Sequence, residues 1–293
     1  MPIHEISNNP TWAHQVRLIE RVAYASAAGE PQYLSILAPW VQRYPATRQQ
    51  AEKRPLIVFV QGSSWTLPTL GEQIPQLVQF VEAGYIVATV QHRNSIDGHA
   101  FPAFLQDVKT AIRYLRAHAD EYLIDPTRVA IWGTSSGANA ALLVALTPDD
   151  ERYKTADYAD QSDAVNAVIS CFAPTDVAET MEFSSSHPGT NILQYSLFGA
   201  DQSQWPALKR EMSPLYQVKA GQSYPPFLLM HGDNDHTVPY DNLEKMYQAL
   251  VDAGAKVEAY RIKGADHERD FWSPQIYQIA REFLDQYEQE GEA

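Results

Sequence analysis

The chain has a single cysteine, Cys171, among its 293 residues, so an intrachain disulfide is excluded. Because free cysteines are usually buried, and Cys171 lies in the apolar stretch 167–172, we interpret it as a core residue rather than a nucleophile. Long apolar runs are also missing, since none approaches the roughly 20 residues of a bilayer span. Residues 1–5 show no basic segment followed by an apolar one, the pattern of a secretory signal. The sequence therefore predicts a cytoplasmic protein that does not enter the membrane.

Basic residues are scarce: 22 Lys and Arg stand against 36 Asp and Glu, for a formal net charge of −14. Nucleic-acid binding requires clustered Lys and Arg, and no such cluster occurs. Dinucleotide-binding and phosphate-loop glycine patterns are absent too, so no organic cofactor is expected. The charge balance favours a small-molecule substrate over a polyanionic partner.

Apolar, β-branched runs alternate along the chain with segments of helical period, which is typical of an α/β fold with a mostly parallel sheet. The predicted strands include Leu34–Ala38, Leu56–Val60, Tyr85–Val90, Val129–Trp132, Val165–Cys171, Pro226–Met230 and Val257–Ile262. The predicted helices include Ile74–Val81, 102–118, Ala138–Leu146, Leu243–Leu250 and Ile276–Phe283. We expect one domain over residues 1–293, with about eight strands and with helices on both faces of the sheet.

The segment from about residue 176 to 224 interrupts this alternation. A stretch of this length between two core strands is usually a functional insertion. We therefore predict a lid or cap over the site, without predicting its fold.

The strongest local motif is Gly-Thr-Ser-Ser-Gly at 133–137, between the predicted strand Val129–Trp132 and the predicted helix Ala138–Leu146. In a nucleophile elbow the serine occupies a strained strand-to-helix turn, which raises its hydroxyl clear of the sheet. Glycines flank it because side chains there would collide with the neighbouring strand and helix. The motif predicts Ser135 as a nucleophile near a helix N-terminus, where the dipole favours negative charge.

A serine hydroxyl needs a base to take its proton and a carboxylate to orient that base. In this fold the acid and then the histidine follow the serine along the chain, in loops at the carboxyl ends of strands. His267 lies in such a loop after the last predicted strand, and is the predicted base. Asp233 and Asp235 both lie in the loop after the preceding strand, and the residues themselves leave the choice between them open.

A metal site is not expected in that loop. Asp233, Asp235 and His236 have the side-chain chemistry of metal ligands. One short loop cannot easily direct all three at one ion, however, and acid–base roles explain the residues better.

Together these motifs resemble α/β-hydrolases of the esterase branch, close to prolyl-oligopeptidase-like and to feruloyl or acetyl-xylan (carbohydrate) esterase-like proteins. The acid-loop motif of that family matches His231-Gly232-x-x-Asp235-x-x-Val238-Pro239, with the catalytic aspartate at the fifth position. The resemblance covers roughly residues 30 to 285. It implies an α/β-hydrolase fold with Asp235, rather than Asp233, as the acid.

The loop after the third strand departs from the family. Related esterases carry His-Gly-Gly-x-Trp there, whereas residues 61–65 read Gln-Gly-Ser-Ser-Trp. The loop must offer backbone N–H groups to the oxyanion that forms in the tetrahedral intermediate. A serine still has an N–H, so the predicted oxyanion hole is Ser63, Ser64 and, just after the nucleophile, Ser136. Trp65 is predicted either to line the substrate pocket or to pack beneath the loop.

The predicted activity is hydrolysis of carboxylic esters through an acyl-enzyme on Ser135, with His267 as base and Asp235 orienting it. Small or aromatic acyl groups are favoured because the sequence shows no long hydrophobic lid helix. Carbohydrate-linked esters are among the candidate substrates. Two alternatives stay open. One is a small peptidase or amidase, prolyl-oligopeptidase-like or aryl formamidase-like, and the other is a catalytically silent binding protein on the same fold.

Overall fold

A computed structural model describes residues 3–9, 13–27, 29–40, 52–186 and 189–289 of the protein. Its centre is an eight-stranded sheet in the order β1-β2-β4-β3-β5-β6-β7-β8. The strands are β1 Val16–Ala27, β2 Glu30–Pro39, β3 Arg54–Val60, β4 Ile86–Val90, β5 Ile124–Thr134, β6 Ala167–Cys171, β7 Phe227–Gly232 and β8 Val257–Ile262. The β1–β2 and β2–β4 pairs are antiparallel, and every later pair is parallel. The predicted mostly parallel sheet of about eight strands is confirmed.

Helices connect the parallel strands. They are α1 Ile74–Glu82, α2 Ala103–Ala117, α3 Ala119–Tyr122, α4 Ser136–Leu146, α5 Val177–Phe183, α6 Thr190–Phe198, α7 Trp205–Met212, α8 Asp241–Asp252 and α9 Pro274–Gln289. Apolar side chains of α2, α4 and α8 pack in one core on one face of the sheet, and those of α1 and α9 pack in a second core on the other. The expectation of helices on both faces is therefore confirmed.

The central strand β3 shows why the chain forms a sheet covered on both sides. Leu56, Val58 and Val60 belong to one core while Ile57 and Phe59 belong to the other. Successive side chains of a strand point to opposite faces, so a strand buried on both faces reads as an unbroken apolar run. The same physics places the carboxyl ends of β3, β5, β6, β7 and β8 along one edge of the sheet, where the site is built.

The 176–224 segment contains α5, α6 and α7, joined by short 3₁₀ turns, between β6 and β7. These helices are short, of 7 to 9 residues each. Phe198 at the end of α6 and Met212 at the end of α7 are buried in the core on the α2, α4 and α8 face. The segment is thus packed against the sheet's helical layer, with α5 and α6 leading toward the edge that carries Ser135.

The predicted and observed elements differ mainly at their ends. Strand β5 begins five residues before the predicted strand Val129–Trp132, and its pairing with β3 shifts in register between Ile124 and Val129. Asp125 forms this irregularity by accepting hydrogen bonds from the N–H and hydroxyl of Thr127. A short local turn can interrupt a strand in this way without ending it. Among the described residues, no helix is both long and apolar enough to cross a bilayer.

Candidate active site

Ser135 stands at the junction of β5 and α4 with φ 51° and ψ −123°. Positive φ is strained for a residue other than glycine, and the surrounding structure has to hold it in place. The Ser135 N–H donates to the carbonyl of Cys171 at the end of β6, across 3.0 Å. This hydrogen bond ties the turn to the end of β6, as the elbow interpretation requires.

The two glycines of the elbow have no room for side chains. A Cβ on Gly133 would stand 2.1 Å from the carbonyl oxygen of Gly137 in the helix. A Cβ on Gly137 would stand 2.0 Å from the carbonyl oxygen of Val60 in β3. The predicted collisions with helix and strand are confirmed, and they explain why glycine occupies both positions.

The structure brings Ser135, His267 and Asp235 together from three separate loops. Ser135 Oγ lies 2.9 Å from His267 Nε2, and His267 Nδ1 lies 2.7 Å from Asp235 Oδ2. Phe172, which follows β6, places its ring edge-on to the imidazole with centroids 4.7 Å apart. The imidazole ring of His267 is therefore held by the Asp235 carboxylate, the Ser135 hydroxyl and the ring of Phe172.

Asp235 is surrounded by donors. Its Oδ1 accepts the backbone N–H groups of Thr237 and Val238, each at 2.8 Å. Its Oδ2 lies 3.0 Å from Nε2 of the buried His231, in addition to its contact with His267. Burial alone would raise the pKa of the Asp235 carboxyl, but hydrogen bonds from His231, His267 and Val238 hold it well below its usual range. The group is a carboxylate, which stabilises a positive charge on the neighbouring imidazole.

The other acidic and histidine side chains of this loop point elsewhere. Asp233 binds the Arg261 guanidinium at 2.7 Å and the N–H of Gly264. His236 Nδ1 lies 3.2 Å from Asp266 Oδ1. Within the described ranges no three His, Cys, Asp or Glu side chains are grouped so that they could hold a metal ion.

The loop after β3 offers one free N–H of the two that were predicted there. The Ser63 N–H donates to Ser136 Oγ at 2.9 Å, just as the Gly62 N–H donates to Thr134 Oγ1 at 2.8 Å. The Ser64 N–H has no acceptor in the part of the chain that the structure describes. Ser136 is the first residue of α4, where backbone N–H groups have no partner within the helix. Ser64 and Ser136 both line the same cavity beside Ser135.

Trp65 both packs beneath the loop and lines the cavity beside Ser135. It is buried, and its indole N–H donates to Asn139 Oδ1 at 3.2 Å. The amide of Asn139 donates in turn to the carbonyls of Pro174 and Met212, each at 3.0 Å. One buried asparagine therefore ties the loop after β3, the loop after β6 and the end of α7 together.

Gln61, at the position of the family's histidine, is buried and faces a carboxylate. Its Nε2 donates to Glu268 Oε1 at 3.3 Å. Glu268 directly follows His267 and has φ 62°. The departure at Gln61 is thus accompanied by an acidic partner 207 residues later in the chain.

A cavity of about 430 Å³ opens beside Ser135. None of the described residues that line it carries a charged side chain. Its walls are Ser64, Trp65, Thr66, Ile96, Ser135, Ser136, Pro174, Thr180, Met181, Ser184, Gly189, Thr190, Ile192, Leu193, Thr237 and Val238. The hydroxyls of Thr180 and Thr190 donate to the carbonyls of Asp176 and Ser184, so they are already occupied. The cavity is therefore largely apolar, and α5 and α6 of the 176–224 segment form part of its wall.

Comparison with known proteins agrees with this architecture. The family model BD-FAE matches residues 44–250. Esterase LipQ of Mycobacterium tuberculosis is 29% identical over 222 residues, which cover 74% of this chain and 51% of that protein. A probable isoprenylcysteine alpha-carbonyl methylesterase of Arabidopsis thaliana, ICMEL1, is 25% identical over 226 residues, covering 73% of this chain and 45% of the relative. The chain spans about half the length of the curated relatives it matches.

Solved structures share the fold. A truncated carbohydrate esterase from gut microbiota superposes with a TM-score of 0.79 at 24% identity, covering 96% of this chain and 99% of that one. A propionate-bound esterase of Thermogutta terrifontis, Est2, gives 0.70 at 23% identity and covers 92% of each chain. The fold is that of the α/β-hydrolases.

Three residues at the site were not assigned roles from the sequence. His231 was noted as part of a motif, and its contact with Asp235 needs the loop conformation to be seen. Asn139 reads as one polar residue in an Ala- and Leu-rich helix, which is the signal that could have singled it out. Glu268 gives no sequence signal beyond its position after His267.

Proposed function

Because the chain belongs to the BD-FAE family of α/β-hydrolases, we propose that it is a carboxylic-ester hydrolase that acts through Ser135, His267 and Asp235. The observation that carries the proposal is the continuous chain of contacts from Ser135 Oγ to His267 at 2.9 Å and from His267 to Asp235 at 2.7 Å. Nucleophile, base and orienting carboxylate within hydrogen-bonding distance are the arrangement that acyl transfer to a serine requires.

In the proposed reaction, Ser135 Oγ attacks the acyl carbon while His267 Nε2 takes the hydroxyl proton. The imidazolium that forms donates through Nδ1 to Asp235, whose own donors keep it ionised. His267 then gives its proton to the departing alcohol oxygen, which leaves the acyl group on Ser135. A water molecule, deprotonated by His267, attacks this acyl-enzyme; the bond to Ser135 Oγ then breaks, His267 returns the proton to Oγ, and the acid is released.

The proposed oxyanion hole consists of the N–H groups of Ser64 and Ser136. Both belong to residues that line the cavity beside Ser135, and neither N–H is taken up by another described group. The Ser63 N–H is left out because it already donates to Ser136 Oγ. Backbone donors that are fixed before the reaction stabilise the developing oxyanion without having to reorganise.

The proposed acyl site is the uncharged cavity. At about 430 Å³ it lies toward the lower end of the usual range for ligand pockets, about 300–1,000 Å³. Largely apolar walls, in which the Thr180 and Thr190 hydroxyls are already occupied, favour a small aliphatic or an aromatic acyl group over a polar one. The propionate-bound esterase and the carbohydrate esterase that share the fold support small acyl groups and carbohydrate-linked esters as first substrates to test. The 176–224 segment is proposed to act as the lid of this cavity.

A panel of esters tests the proposal. Wild-type protein and the Ser135→Ala variant are compared on aryl esters from acetyl to long acyl chains, on feruloyl and acetyl-sugar esters, and on amides of the same acyl groups. We expect turnover of short and aromatic esters, weaker turnover of amides, and a loss of about 10⁴–10⁶ in kcat in the variant. A preference for amides would indicate the peptidase or amidase alternative. Undiminished turnover by Ser135→Ala would contradict the mechanism.

A further inference from the structure

Glu268 carries a carboxylate to the edge of the reacting centre. A Cβ placed on Gly62 would stand 2.8 Å from Ser135 Cβ and 3.2 Å from Glu268 Oε1. The serine and the carboxylate therefore both lie against the same face of Gly62. Glu268 reaches this place through a backbone with φ 62°, a conformation that costs a side-chain-bearing residue about 1 kcal/mol.

The Glu268 carboxylate is held, but its charge is not neutralised. Its described hydrogen bond comes from the neutral amide of Gln61, across 3.3 Å. Burial raises the pKa of the Glu268 carboxyl, His267 opposes that rise, and the nearby Glu72 adds to it. Among the described residues, no Lys or Arg forms an ion pair with it. A carboxylate in this setting gains from a donor that a ligand brings.

The position of Glu268 is on the side of the site where the alcohol half of an ester would lie. The uncharged cavity does not include Glu268 or His267 in its walls. The leaving alcohol oxygen has to lie next to His267 Nε2, because that atom returns the proton to it. If the acyl half fills the cavity as proposed, the alcohol half extends toward His267 and toward Glu268, whose carboxylate lies beside Gly62.

We propose that Glu268, positioned by Gln61, is a specificity-determining residue that binds a hydrogen-bond donor on the alcohol half of the ester. The donor is a hydroxyl, as in a polyol or sugar, or an ammonium N–H, as in an amino alcohol. This inference rests on the proposed ester hydrolysis and adds to it: the acyl half is apolar, and the alcohol half is polar. Chemically, no bond changes at Glu268, and its effect is on binding and orientation.

Two isosteric pairs of butyrate esters test the proposal. In 3-hydroxypropyl butyrate a hydroxyl replaces the terminal methyl group of butyl butyrate. In dimethylaminoethyl butyrate a protonated amine replaces the branching CH group of isoamyl butyrate. For wild-type protein we expect kcat/KM to be about tenfold higher for the polar member of each pair, as for a hydrogen bond to a partly exposed charged group. Glu268→Leu should bring both ratios near one, and Glu268→Gln, which keeps an acceptor oxygen, should lower mainly the ammonium ratio.

Controls separate this effect from a general loss of structure. In both Glu268 variants the ratio within each pair of esters, and not the level of activity, carries the result. The matched variant Glu72→Gln removes a nearby charge that is not proposed to contact the substrate, and should leave both ratios within about twofold. Ratios near one in wild type, or ratios unchanged by Glu268→Leu, overturn the assignment. Absence of all ester turnover in wild type overturns the proposed function itself, and this inference with it.

Discussion

The backbone N–H of Ser63 donates to Oγ of Ser136 across 2.9 Å. This hydrogen bond joins the loop after β3 to the first residue of the helix after the elbow. The proposed oxyanion donors, the N–H groups of Ser64 and Ser136, belong to the two segments that it connects. A side-chain hydroxyl therefore sets the distance between two backbone donors, which is a form of preorganisation.

Ser136→Ala removes the acceptor of this hydrogen bond and leaves the backbone donors in place. We expect kcat for a short aryl ester to fall about tenfold, because removing a whole oxyanion donor costs about 10²–10³ and here the donor is displaced rather than lost. KM should change little, since the contact acts mainly in the transition state. Steady-state kinetics provide the measurement. Ser64→Ala is the matched control, because its N–H survives, and it should stay close to wild type. Equal losses in the two variants would argue against the preorganising role.

His231 is expected to influence catalysis through Asp235. Its Nε2 lies 3.0 Å from Asp235 Oδ2 and 3.2 Å from the carbonyl of Val238, and both partners are acceptors, so this nitrogen carries the proton. His231→Phe keeps an aromatic ring but removes the donor, and kcat should fall about tenfold. His231→Gln, which can donate from its amide, should recover part of the loss. If both variants are equally impaired at equal thermal stability, the donor is not what matters.

The ionisation of Asp235 should contribute to stability in a defined pH range. Hydrogen bonds hold its folded-state pKa below the unfolded value of about 3.9. A depressed pKa gives stability that is fully present above about pH 4 and is lost as the pH falls toward the folded-state pKa. The difference in free energy of unfolding between wild type and Asp235→Asn should therefore shrink below about pH 4. Urea unfolding from pH 7 to pH 3 measures it, and a difference that stays constant with pH would contradict the assignment.

Asp163, shortly before β6, holds two buried cations. It accepts from Lys109 Nζ at 2.7 Å and from Arg113 at 3.1 Å, and all three side chains are buried. Asp163→Asn leaves these cations without their carboxylate and should lower the free energy of unfolding by about 3–5 kcal/mol. Asp120→Asn, which breaks an exposed pair with Lys53, should lower it far less. Similar urea midpoints for the two variants would contradict the prediction.

The sequence was sufficient to predict the elements that follow from local pattern. Strand β8 was predicted over its observed extent, Val257–Ile262, because apolar period and length are properties of a short window. The fold class followed from the alternation of strands and helices. The collisions at Gly133 and Gly137 followed from the elbow motif, since the motif itself specifies which strand and helix approach.

What the sequence could not predict depends on contacts between distant residues. Trp65 and Asn139 form a hydrogen bond although they are 74 residues apart in the sequence, and Gln61 and Glu268 do so although they are 207 residues apart. The capture of the Ser63 N–H by Ser136 needs the side-chain rotamer and the path of both loops to be known. The helices of the 176–224 segment are short and rest on tertiary packing, so their local signal is weak. The motifs identified candidate site residues, whereas tertiary packing determines which groups each of those residues contacts.

Covalent labelling of Ser135 by a fluorophosphonate probe tests the central claim most directly. The probe reacts with a serine only when a base activates the hydroxyl and the site stabilises the oxyanion-like product. Folded wild-type protein should be labelled at Ser135, as read by mass spectrometry, and Ser135→Ala should not be labelled. His267→Ala should be labelled at least a hundredfold more slowly. An unlabelled Ser135 in folded wild-type protein, under conditions that label a control hydrolase, would contradict the account.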